Sequence, residues 1–285
     1  MDIQERPASR TAIGVALLRA IHEIDDDSPK ILSDPIILLL LDKEALQKAK
    51  ANLEWLQSPL TIALRSHVVL RSRFAEDCLQ QAAVSGVRQY VILGSGFDTF
   101  AYRQPAWAAS LRIFEVDHPA SKRAKVERLR QSGIPLPPNL EFVSADFESA
   151  SLRDILSSSS LDFKAPAFFS CLGVLVYLPA DSIKALFQLV ASFPRLSEIV
   201  FTFSQGEKSH GDQAGAHPSL AVAAAAVGEP WRTYHDPDVL HRELFEIGFS
   251  QVSFLSPEEA KYLYYRDRRD GLPPPRRTSI ARAIV

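Results

Sequence analysis

The run Tyr90–Gly96, YVILGSG, constrains the fold of this chain more than any other. Apolar, β-rich residues climb into two glycines that flank a serine. An apolar run of this length closed by glycine reads as a buried strand ending in a tight turn. Six further runs share its character. In chain order the seven strand candidates are Tyr90–Gly94, Arg112–Asp117, Leu140–Asp146, Ala167–Leu172, Glu198–Phe203, Phe249–Leu255 and Ser279–Val285. Between the first five lie stretches with helical spacing. Pro119–Arg130 opens with proline and is rich in Lys, Arg and Glu; Asp181–Phe193 repeats Ile183, Leu186, Leu189 and Val190 at three- and four-residue steps. AFFSCL and EIVFTF are apolar almost throughout, as expected when both faces of a sheet are covered. This alternation predicts an α/β fold with a doubly wound, mostly parallel seven-stranded sheet. Residues 256–278 are too irregular for a crossover helix, so the last two strands are expected to end the sheet antiparallel.

The first 88 residues predict a helical cover on that body. Thr11–Ile24 carries a stripe of Ile13, Leu17, Ile21 and Ile24. Further helices follow in SDPIILLLLDKEALQKAKANLEWL, with Ser33 or Asp34 at a cap and Pro35 early in the turn. LRSRFAEDCLQQAAVSG reads as a helix closed by Gly86. The stretch 204–236 is long for a connection within such a sheet, and long connections tend to carry function. One domain over 1–285 is the expected organisation, with 1–88 as cover, 89–285 as core and 204–236 as an insertion. A net charge of -2 advertises no nucleic-acid surface. Ile36–Leu41, the densest apolar run, is far shorter than the roughly 20 residues of a membrane span. Met1–Arg10 lacks the apolar core of a signal peptide. The two cysteines, Cys78 and Cys171, match no metal spacing, so no metal is expected. A cytoplasmic protein without membrane or nucleic-acid partner is the simplest expectation.

In a doubly wound sheet the ligand lies at the carboxyl ends of the strands. A dinucleotide fingerprint needs a third glycine three positions after Gly96, where Thr99 stands; no G-K-[ST] follows, so the loop is not a P-loop. A ligand without a pyrophosphate fits better. The second strand ends at Asp117, about 20 residues past the glycines, where an acid accepts from ribose hydroxyls. The third ends in SADF, placing Asp146 for an adenine amino group and Phe147 beside the ring. Each residue also has a plain structural reading: the glycines as a turn, Asp117 as the cap of the helix opening at Pro119, Asp146 as a loop acid. Three such features on three successive strand ends favour a nucleoside site.

RSRFAEDCLQQAAVSGVRQYVILGSGFDTFAYR, IFEVDHP, VSADF, CLGVLVYLP and GEPWRTYHDPDVLHRELFEIGF, in that order, resemble the S-adenosylmethionine-dependent methyltransferases related to leucine carboxyl methyltransferase, bacterial members included. The resemblance runs from about Thr11 over nearly the whole chain. It implies a class I methyltransferase fold with the last strand inserted antiparallel, and S-adenosyl-L-methionine as cofactor. Arg71 and Arg73 match the arginine-bearing helix that meets the cofactor carboxylate, Arg71 better than Arg73. Gly94 and Gly96 match the glycine loop, to which Ser95 and Asp98 also belong. Asp117 matches the ribose acid, and Asp146 with Phe147 the adenine end. Leu172 stands where the leucine carboxyl methyltransferases proper carry a glutamate, so the methionine amine either loses that contact or takes backbone carbonyls instead.

The expected reaction is methyl transfer to an oxygen, a carboxyl or hydroxyl, of a small-molecule acceptor. Tyr177, just past the fourth strand, is placed to face the acceptor, or to pack at the sheet's rim. Glu229, Trp231 and Arg232 are candidates for the acceptor pocket, or loop packing. His118 adjoins Asp117, and His210, His217 and His235 lie in or beside the long insertion. The rival readings are a nicotinamide-dependent oxidoreductase and a module that binds the cofactor without turnover.

Overall fold

A computed structural model describes residues 9–147, 151–206 and 220–285. Its sheet has seven strands: β1 Gln89–Leu93, β2 Arg112–Asp117, β3 Leu140–Ser144, β4 Phe168–Cys171, β5 Glu198–Thr202, β6 Gln251–Phe254 and β7 Ile280–Ile284. Their order is β3-β2-β1-β4-β5-β7-β6. The first five run parallel, and β7 lies antiparallel between β5 and β6. The reversal follows from the connection. Residues 256–278 hold only a four-residue helix, Pro257–Ala260, and a π turn over Lys261–Tyr265, so no crossover helix returns the chain to the sheet's starting edge.

Period-two alternation explains the two faces. Val91, Leu93, Phe114, Val116, Phe169, Cys171, Ile199 and Phe201 point to one core. There they meet the helices Ala180–Ala191 and Pro237–Ile247 through Leu186, Val190, Leu240 and Leu244. Tyr90, Ile92, Ile113, Phe168 and Val200 point to the other core, which is covered by Val69, Ala75, Cys78 and Leu79 of the 26-residue helix Pro59–Val84.

That helix is α5 in chain order. The other cover helices are α1 Arg10–Asp25, α2 Pro35–Leu40, α3 Lys43–Ala51 and α4 Leu53–Gln57. Each opens on a side-chain cap: Ser9, Asp34, Asp42, Asn52 and Ser58 accept from a backbone N–H of their own first turn. At Asp34 the cap chooses between the two residues that the sequence offers, with Pro35 at the first helical position. A third cluster stacks Ala16 and Ala20 of α1 and Ile37 and Leu40 of α2 on Phe97 and on Leu129 of α6 (Pro119–Gln131). Phe97 directly follows Gly96, so the cover helices bear on the glycine loop itself. Within the long insertion the described residues form one helix, Leu220–Ala226, then a turn at Val227–Gly228 and chain without regular structure to Asp236. His210 and His217 lie outside the described residues.

Candidate cofactor and acceptor site

β1 sits between β2 and β4, so the chain leaves β1 and β4 toward opposite sides and opens a crevice at their carboxyl ends. Glycines with positive φ line it: Gly94 at 71°, Gly96 at 46° and Gly173 at 77°. A side chain at Gly94 would overlap Val174, and a Cβ at Gly173 would stand 2.7 Å from Arg71 Nη1. Two strand ends and an arginine thus meet where side chains would otherwise stand.

Arg71 and Arg73 are two residues apart on α5, which turns them about 200° from each other. Arg73 points outward, half exposed, with its Nε 2.9 Å from Asp77. Burial works against its charge, and the Asp77 carboxylate more than restores it, so its pKa is raised. Arg71 points over Gly173. Its Nε is enclosed without a hydrogen-bond partner, and among the described residues no carboxylate pairs with the guanidinium. Burial and the nearby Arg19 bring its pKa down to about 10, against the pull of Tyr177 and Asp98, so it stays cationic at neutral pH. One turn earlier on α5, burial and Arg71 push the His67 pKa down to about 3, so that imidazole is neutral and cannot balance the charge. A part-buried cation without a partner is costly, and such a group in a crevice is a candidate for meeting an anion.

Asp117 ends β2 and accepts from the backbone N–H of Gly96 and of His118, the latter at 2.6 Å. Burial raises its pKa, and those two N–H groups oppose the rise. The cap of α6 is His118, whose Nδ1 accepts from Ala120 at 3.2 Å. The capping role open to Asp117 in the sequence is therefore filled by its neighbour. A carboxylate offers about four lone-pair positions, and two remain for hydroxyls. The end of β3 lies alongside, with Ala145 N–H donating to Asp117 O at 2.8 Å. Asp146 follows directly, and Phe147 packs against the edge of the core. Within the glycine loop Ser95 is buried, and Asp98 Oδ1 accepts from Phe100 N–H at 2.8 Å. Leu172 packs against the α5-side core, and the next residue, Gly173, donates its N–H to Thr202 Oγ1 at 2.7 Å.

Thr99, in the place of a third glycine, is fully buried and serves as a junction. Its Oγ1 donates to Asp34 Oδ1 at 2.6 Å and accepts from Arg19 Nη2 at 2.8 Å and Arg103 Nε at 2.9 Å. Arg19 pairs with Asp34, and Arg103 with Glu76. Burial alone would lower the Arg103 pKa; Glu76 and Asp34 hold it above its ordinary value. This network bolts α1, α2 and α5 to the glycine loop. It draws together residues 65 and 80 positions from Thr99, and no local pattern in the sequence announces it.

The acceptor candidates gather on the β4–β5 side. Tyr177 closes a 3-10 turn, Leu175–Tyr177, and its hydroxyl lies 3.4 Å from Thr11 Oγ1. The run after Glu229 lies against the loops beyond β4 and β5: Arg232 N–H donates to Val176 O at 2.7 Å and His235 N–H to Ser204 O at 2.8 Å. Trp231 Nε1 and His235 Nε2 are buried polar atoms without a partner. Burial lowers the His235 pKa, with Glu243 opposing. The Glu229 carboxylate is already engaged, accepting from Ser9 Oγ at 2.9 Å, Arg10 N–H at 2.7 Å and Thr11 Oγ1. Among the described residues no group of His, Cys, Asp or Glu could hold a metal ion, and no helix is long and apolar enough to cross a membrane.

A parallel sheet with an antiparallel β7 slotted before β6, and a glycine crevice beside β4, is the class I methyltransferase fold. The fold is shared, over 99% of this chain, with a DUF574 family protein from Streptomyces avermitilis (TM-score 0.56, 18% identity, 99% of that chain). It is shared likewise with a Thermobifida fusca protein titled a putative methyltransferase (TM-score 0.55, 16% identity, 96% of that chain). The family model described as leucine carboxyl methyltransferase matches residues 12–191, and the chain belongs to that family. A Bacillus subtilis relative named "Putative S-adenosyl-L-methionine-dependent methyltransferase YktD" is 30% identical over 234 residues, 81% of this chain and 73% of the relative. A Frankia alni relative with a name of the same form is 32% identical over 235 residues, 75% of this chain and 76% of its own. The chain is an S-adenosylmethionine-dependent methyltransferase.

Proposed function

We propose that the chain is one O-methyltransferase domain acting on a carboxyl or hydroxyl group of a small metabolite in the cytoplasm. S-adenosylmethionine, when bound, supplies the methyl group from its sulfonium. The observation that carries the reading is Arg71, a part-buried cation over Gly173 whose enclosed Nε has no hydrogen-bond partner. Arg71 takes the methionine carboxylate as a fork, and Arg73, engaged by Asp77, stays outside the contact. Gly94, Ser95, Gly96 and Asp98 form the floor under the methionine portion. Asp117 takes the ribose hydroxyls, and Asp146 with Phe147 the adenine. Leu172 brings no side-chain polar atom, which leaves backbone carbonyls near Gly173 for the amine. Tyr177, Trp231 and Arg232 line the acceptor side, with Glu229 behind them. These side chains would orient the acceptor oxygen toward the methyl group, which the transfer requires. A carboxylate needs no base there; a hydroxyl must lose its proton to a neighbouring group. Both cysteines are buried thiols whose pKa burial pushes up to about 12, in keeping with a reducing compartment.

Asp117→Ala is expected to weaken S-adenosylhomocysteine binding by about 1.5–3 kcal/mol, the range for hydrogen bonds to a charged group. Calorimetry on the folded variant is the measurement, and wild-type affinity would reject the ribose assignment. Incubating the enzyme with S-adenosylmethionine and fractionated metabolite extract, and following S-adenosylhomocysteine release, identifies the acceptor. Methyl groups found only on nitrogen or sulfur would overturn the choice of oxygen.

A further inference from the structure

Glu229 stands 218–220 residues from every side-chain or backbone group of α1 that it binds. Its carboxylate collects the Ser9 hydroxyl, the Arg10 N–H and the Thr11 hydroxyl, all at the start of α1. A carboxylate at a helix N-terminus is also favoured by the exposed N–H groups and the helix dipole. That first turn lies over the glycine loop: Ala12 Cβ is 3.6 Å from the point where a Cβ of Gly96 would stand. Thr11 Oγ1 also lies 3.4 Å from the Tyr177 hydroxyl. The first turn of α1 therefore roofs the space between Gly96 and Tyr177.

The rest of α1 is held in another way. Ala16, Leu18, Ala20 and Ile21 are buried, and Arg19 is locked into the Thr99 network. Between the roof and this fixed part sits Gly14. It lies inside the helix, and a Cβ there would touch nothing within 4 Å. Packing does not demand a glycine at that position, and glycine weakens a helix interior. The helix is soft where a hinge between roof and anchor would lie.

We propose that Glu229 is a positioning residue of the cofactor site: it latches the first turn of α1 down over the glycine loop, and its release, with bending at Gly14, lets the cofactor in and its product out. This rests on S-adenosylmethionine being the cofactor. It assigns the Glu229 carboxylate to the roof instead of the acceptor.

The test is the rate of S-adenosylhomocysteine association and dissociation on the immobilised full chain. Glu229→Ala removes the latch and is expected to speed dissociation at least tenfold, with Glu229→Gln between it and wild type. Thr11→Val removes one partner from the other side and should speed dissociation without touching Glu229. Gly14→Ala fits the space, stiffens the hinge, and should slow both association and dissociation. Hydrogen exchange in the cofactor-free Glu229→Ala variant should rise at amides 10–13 and stay unchanged at 16–22. Wild-type rates in folded Glu229→Ala would overturn the latch, as would a rise in exchange spread over the whole chain. If Glu229→Ala does not fold, Thr11→Val and Gly14→Ala decide: unchanged rates in both overturn it. A wild-type chain that does not bind S-adenosylhomocysteine would overturn the cofactor assignment beneath it. Binding with unaltered kinetics in the variants overturns the latch alone.

Discussion

Arg71→Ala should weaken binding of S-adenosylhomocysteine by about 1.5–3 kcal/mol, roughly 10- to 150-fold, without lowering the melting temperature of the cofactor-free protein. The combination is the informative part. A surface or core arginine that supports the fold costs stability when it is removed. Arg71 has no protein partner for its charge, its Nε is enclosed, and Arg19 repels it. Its removal relieves the empty site and harms only the filled one, the trade expected of a residue kept for binding. Arg71→Lys keeps the charge but loses the planar fork, and should fall between wild type and alanine. Adenosine carries no carboxylate, so its weaker binding should be nearly indifferent to either change. Calorimetry with both ligands on each variant checks this. Equal losses for the two ligands would make Arg71 a general support of the fold, and no loss for either would remove it from the site.

Lys125→Met should cost about 3–5 kcal/mol of stability, the usual consequence of stranding one member of a buried ion pair. Lys125 on α6 and Glu115 on β2 are each 1% exposed at the side chain and meet at 2.6 Å, with the Tyr102 ring 5.3 Å from the ammonium. Burial pushes the Glu115 carboxyl up, to about 7, with Lys125 pulling it down. Without the lysine it must rise further. In the unfolded chain the group titrates near its ordinary value of about 4.3. Between those two values the folded variant holds a proton that the unfolded chain has released, so its stability falls as pH rises. The wild type shares that slope up to its own Glu115 value of about 7, so the deficit of Lys125→Met should be nearly level below pH 7 and grow above it, by up to about 1.4 kcal/mol per pH unit, in urea unfolding. Adding Glu115→Gln removes the stranded charge and should recover most of the loss at pH 8. A deficit independent of pH would mean that the lysine's packing, and not its charge, holds α6 on the sheet.

The candidate site divides sharply into what could and could not be read from the chain. Gly94, Gly96, Asp117 and Asp146 stand out because each closes an apolar run, and the ends of strands are where such sheets bind ligands. Arg71 and Arg73 are both legible as candidates, but their order along the chain says nothing about which side of α5 faces the sheet. The packing of Val69, Ala75 and Leu79 onto the sheet sets the rotation of the helix, and the rotation sends one arginine inward and the other to Asp77. Asp117 and His118 are equally placed for a cap, and only the local backbone assigns the cap to His118. Glu229 reads as a pocket residue beside Trp231. The fold brings it instead to a helix start more than two hundred residues away.

The sequence by itself determined the α/β class, the helical cover, the antiparallel ending and the glycine crevice. Each of these is written in short-range periodicity and in residues, glycine and proline above all, whose backbone preferences act locally. Tertiary structure decided the junction at Thr99, the unpaired charge of Arg71 and the clasp of Glu229 on α1. Those depend on charged and hydroxyl side chains that can meet many partners. Which partner each one meets is settled only when burial of the apolar faces has placed the elements, because a polar group taken out of water must then pair with whatever the packing has brought near.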